Sequence, residues 1–128
     1  LSNEAHYYRA KAYLDAGKVE GAMDDLKILA KDTRNIYGAE AKYKVAQIYF
    51  DAGQTEQAEK EVLDYIEVST PHTYWLARSF VLLSDVYMKL GRNLDAKQYL
   101  LSLKQNYQAD DDIAGMIESR LNKLNAEN

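Results

Sequence analysis

Cysteine does not occur in this chain, which excludes disulfides, thiolate metal sites and cysteine nucleophiles and suits either cytoplasm or periplasm. There is one proline and there are six glycines, so long helices are permitted almost throughout. Basic tracts are missing too. A net charge of -4 and a pI near 5.2 argue against nucleic acid, whose phosphates need clustered Lys and Arg. No apolar run approaches the ~18 to 20 residues of a membrane span, so membrane insertion is not expected. The chain opens at Leu1 without a start methionine or signal peptide and reads as a segment of something longer.

Chemistry-bearing groups are equally sparse. The two histidines, His6 and His72, lie far apart with no partner at metal or triad spacing, so both read as ordinary surface or core residues. Asp110, Asp111 and Asp112 are followed by no loop of alternating oxygen ligands with a central glycine. They read as helix capping rather than calcium ligation. Phosphate-cradling glycine loops and nucleophile elbows are absent. No cofactor, metal or catalytic residue is expected, and no enzyme.

What is present is a repeat. A Tyr, a Gly four residues later and an Ala five beyond that occur as Tyr13, Gly17, Ala22, as Tyr49, Gly53, Ala58 and as Tyr87, Gly91, Ala96. Small residues precede each Tyr by three (Ala10, Ala46, Ser84) and by eight (Ala5, Ala41, Ser79). Each Gly stands where one apolar-periodic run ends and another begins, as a left-handed residue closing a helix does. The pattern describes helical hairpins whose small residues allow close approach while the Tyr ring fills the wedge.

Seven helices and no strands are expected, near 3–15, 18–32, 37–51, 54–68, 71–89, 92–106 and 111–125, in one all-α domain over 1–128. The fifth is expected to start with Thr70 as N-cap and Pro71 at the first helical position. The stripe Ile113, Met116, Ile117, Leu121 and Leu124 marks the seventh as a C-terminal cap over 110–125, with Glu118, Arg120 and Lys123 facing solvent. Tyr74 and Trp75 are expected to plug the widened junction before the third hairpin, against Tyr65 or Val68.

On these positions the chain resembles the tetratricopeptide repeat, over residues 3 to about 106, with units near 3–36, 37–70 and 71–107. The resemblance implies a right-handed superhelix of antiparallel helix pairs. Two departures stand out. The glycines are 36 and 38 residues apart rather than the family's 34, which lengthens the connections. Such repeats resemble those of bacterial envelope proteins, including outer-membrane assembly lipoproteins and Tol-Pal coordinators, at the C-terminal end of a longer solenoid. The residue after each Gly is Lys18, Gln54 or Arg92 where the family favours Asp, which weakens the cap of the following helix.

In that family the first helix of each hairpin lines the concave face. Counting back from each Gly gives Glu4, Glu40 and Arg78, then Tyr7, Tyr43 and Val81, then Lys11, Gln47 and Asp85, then Leu14, Phe50 and Met88. Asp15, Asp51 and Lys89 follow on the same stripe. Such a groove would suit an apolar protein or peptide segment flanked by mixed charge, with Tyr43 and Phe50 as anchors. The family's clamp for acidic chaperone tails is not expected: its basic and amide positions are held by Tyr7, Lys11, Lys44, Arg78 and Leu82, of which Arg78 alone fits. The alternatives are an architectural spacer within a longer solenoid and self-association through the repeat ends.

Overall fold

A computed structural model describes residues 1–126. It contains α1 (Asn3–Asp15), α2 (Val19–Leu29), α3 (Ile36–Asp51), α4 (Thr55–Glu67), α5 (Thr73–Lys89), α6 (Asn93–Asn106) and α7 (Ile113–Ala126), with no strand among the described residues. The hairpins turn on Gly17, Gly53 and Gly91, all at φ between 75° and 79°. At each turn the residue after the glycine donates its N–H to the carbonyl of the repeat Tyr: Lys18 to Tyr13 at 2.7 Å, Gln54 to Tyr49 at 2.9 Å and Arg92 to Tyr87 at 2.7 Å. This six-to-one bond, paired with a bond from the glycine's own N–H, closes the helix end around its left-handed residue. The four-residue Tyr-to-Gly spacing is thus a property of the helix terminus. As the missing Asp implies, Lys18, Gln54 and Arg92 make no side-chain cap.

The first helices of the hairpins form one layer in which α1 touches α3, α3 touches α5, and α5 touches α7. In the second layer the backbones of α2, α4 and α6 do not approach one another. A stack closed up on one side and splayed on the other curves with the closed layer inside, so α1, α3, α5 and α7 carry the inner face. One buried cluster joins α1, α2 and α3 through Ala10, Leu26 and Val45. A larger one joins α3 to α7 through Val62, Leu83, Leu100 and Ile117.

The expected start at Thr70 and Pro71 is displaced, although the Thr70 hydroxyl oxygen does accept from the His72 N–H at 3.1 Å. The fifth helix begins at Thr73, and Thr70 donates its hydroxyl to the Thr33 carbonyl at 2.7 Å while Thr33 donates to Ser69 at 2.9 Å. The two lengthened connections are therefore stitched to each other, with Thr70 serving both the local turn and the loop opposite. The second helix ends at Leu29 rather than 32 because the chain must turn for Gly38 to seat against it. In the seventh helix Ile113, Ile117, Leu121 and Leu124 are buried and Met116 is half-buried. Glu118 and Lys123 are exposed, but Arg120 is not simply solvated: it grips Asp85 of α5 with two bonds of 2.7 and 2.9 Å.

Candidate functional site

The inner face has a repeating internal contact. The residue ten before one glycine bonds the residue thirteen before the next: the Tyr7 hydroxyl donates to Glu40 at 3.1 Å, and Arg78 donates to the Tyr43 hydroxyl at 2.9 Å. These are rungs between α1 and α3 and between α3 and α5. Burial, then the Glu40 carboxylate, pushes the Tyr7 phenol up to about 12.

The rungs redistribute the expected contact residues. Tyr43 is only 6% exposed. Its ring lies 5.6 Å from that of Trp75 and under the Arg78 guanidinium, and its hydroxyl also donates to Gln47. Tyr43 is therefore not an open aromatic anchor, and Val81 is buried as well. Tyr74 and Trp75 do fill the junction, but Trp75 stacks toward Tyr43, and Tyr74 donates to Asp112 at 2.8 Å while accepting from Arg78. Lys11 lies over the Tyr7 ring, Gln47 donates to Asp51, and Asp85 is held by Arg120. Glu4 and Lys11 are exposed, while Leu14, Glu40, Phe50 and Met88 are half-buried.

Phe50 and Met88 line a hollow of about 410 Å³ together with Asp85, Lys89, Asn93 and Lys123. Lys123 reaches it from α7, so the cap contributes to the inner face. Nothing in the periodicity of α7 marked that role.

Residues 4–32, the first hairpin, match the family model described as Tetratricopeptide repeat. Its turn and packing recur at Gly53 and Gly91 with the same backbone geometry. This chain carries a tetratricopeptide repeat. Among curated proteins no match was found. Tetratricopeptide repeats as a class mediate protein–protein interaction and are in general not catalytic. Among the described residues no helix is long and apolar enough to cross a membrane.

Within the matched repeat, α1 is tied to α2 by a buried carboxylate. Asp25, 1% exposed, accepts from Arg9 at 2.8 and 2.6 Å and from His6 Nδ1 at 2.8 Å. The Arg9 bonds lower its carboxyl to about 2, against the opposing effect of burial and with help from His6. A depressed carboxyl stabilises the fold above its unfolded value near 4, and that stabilisation is lost as pH falls through 2. Because Arg9 is half-exposed, solvent screening reduces the contribution to about 1 to 2 kcal/mol. Urea unfolding should show wild type more stable than Asp25→Asn by that margin at pH 7, with the gap closing between pH 4 and pH 2. A gap that does not change with pH would refute the electrostatic origin.

Proposed function

We infer that the inner face of this repeat stack holds a polypeptide segment whose principal anchor occupies the hollow at Phe50 and Met88. One observation carries the reading: these two side chains are the accessible apolar groups of a concave recess whose rim offers Lys89, Lys123 and the Asn93 amide. An apolar side chain seated there loses water from both surfaces, and the rim can orient the flanking backbone or a carboxylate. Tyr43 and Arg78 are not anchors in this reading, because their polar atoms already bond each other.

The reading separates two substitutions that a general loss of stability would not. Phe50→Ala should weaken capture of a partner by the full-length protein at least tenfold, corresponding to about 1.4 kcal/mol. Leu94→Ser, on α6 and 71% exposed, should leave capture unchanged. Quantitative pull-down with both variants checks this. An unchanged partner set with Phe50→Ala would favour the spacer role, in which neighbouring structure covers the recess.

A further inference from the structure

The outer layer carries its own repeating contact, and its chemistry changes along the stack. The residue eleven before each glycine meets the residue eight after it: His6 with Asp25, Lys42 with Glu61, and Phe80 with Tyr99. In the first two repeats this pair is polar and closed, with Nδ1 to Oδ1 at 2.8 Å and Nζ to Oε1 at 2.7 Å. Lys42 also bonds Asp64. Burial alone would pull its ammonium down, but the bonds to Asp64 and Glu61 raise it. The charge is retained and fully engaged.

In the third repeat the same place is aromatic. The Phe80 and Tyr99 rings are 6.1 Å apart, and Tyr99 stacks in turn on Tyr87 at 5.6 Å. Since the backbones of α4 and α6 stay apart, these rings floor an open cleft of about 630 Å³ whose apolar wall is Leu63 and Ile66 of α4. Leu63 is 38% exposed. Replacing an ion pair with two rings and leaving them under an open cleft creates apolar surface that folding does not cover.

The rim selects the occupant. Glu61, Asp64 and Glu67 stand with Lys60 along its α4 side, and even counting Lys42, which bonds Glu61 and Asp64, carboxylates outnumber ammonium groups three to two. Over its whole length α4 carries Glu56, Glu59, Glu61, Asp64 and Glu67 against Lys60. A second copy of this chain, at net charge -4, would bring like charge to that helix. We propose that the cleft between α4 and α6 docks an amphipathic segment of another protein whose apolar side chains are flanked by Lys or Arg. Its apolar side chains stack on Phe80 and Tyr99, and its cations meet Glu67 and the outer edge of α4. The cleft lies on the layer opposite the inner recess, so the two surfaces can be engaged at once and tested separately.

The test uses the intact chain and an 18-residue labelled peptide of leucine and lysine with its leucines on one helical face, alongside the glutamate counterpart. Anisotropy titration should show binding of the lysine peptide at least tenfold tighter than the glutamate peptide. Leu63→Ser and Glu67→Lys should each weaken it at least fivefold, and Ile28→Ser, on exposed α2 surface, should not. Amide shifts on titration should centre on Leu63, Phe80 and Tyr99. Equal binding by the Leu63 and Glu67 variants, shifts centred elsewhere, or no binding would overturn the proposal. Concentration-dependent dimerisation abolished by Leu63→Ser would overturn it as well, by assigning the cleft to a second copy.

Discussion

Gly38→Ala should destabilise the protein by about 3 kcal/mol or more, although alanine is the better helix former by roughly 1 kcal/mol. Gly38 lies in the first turn of α3, and a Cβ there would sit 1.9 Å from the Asp32 carbonyl oxygen and 2.5 Å from that of Leu29. Both are backbone atoms closing the end of α2, so no side-chain rotation relieves the clash. The whole end of α2 would have to move from α3, opening the seam that carries Ala41 and Val45. Gly115, in α7, provides the control: an added Cβ there meets nothing within 4 Å, and Gly115→Ala should be neutral or stabilising by up to about 1 kcal/mol. Thermal melts should place Gly38→Ala roughly 10 °C below wild type and Gly115→Ala at or above it. A Gly38→Ala protein as stable as wild type would mean that the α2–α3 junction is looser than described.

Leu100→Ala should cost about 3 kcal/mol, within the usual range of roughly 2 to 5 for a buried leucine. Leu100 is fully buried in the cluster that ties α3 through α7 together, where helices from several directions limit collapse around a cavity. Leu94→Ala, six residues earlier on the same helix but 71% exposed, should change stability by less than about 0.5 kcal/mol. Since a repeat stack couples mainly through nearest neighbours, the loss should also be regional. Native-state hydrogen exchange should report weakened protection in α5, α6 and α7 for Leu100→Ala, with α1 and α2 affected less. Uniform loss across all seven helices would instead describe one indivisible cooperative unit.

The hairpins were legible because the glycine-centred turn is a local device: Tyr carbonyl, left-handed glycine and small neighbours all lie within one helix end and the start of the next. Connections were less legible. Thr70 beside Pro71 has the local chemistry of a helix start and does accept from the His72 N–H, but its hydroxyl also donates to the Thr33 carbonyl, 37 residues away, and the helix begins only at Thr73. The same holds for the inner face. Tyr43 has the helical phase of a groove residue, yet Trp75 and Arg78 from the next repeat cover it. Arg120 has the phase of a solvent residue, yet Asp85 holds it. Counting positions tells which stripe a side chain occupies; whether a neighbour covers that stripe depends on side-chain reach between repeats. The outer seam was hidden differently. His6, Lys42 and Phe80 share one repeat position but no chemistry, and their likeness emerges once each is seen meeting the eighth residue after its glycine.

Site-specific photocrosslinking from the inner face tests the central reading most directly. A benzophenone amino acid placed in the full-length protein at Leu14, at Phe50, at Met88 and, as a control, at exposed Leu94 reports what lies within a few ångströms of each. The account predicts partner adducts at Phe50 and Met88, strongest there because the hollow seats the anchor, and none at Leu94. Adducts absent from both positions while the intact protein still retains its partners would contradict it.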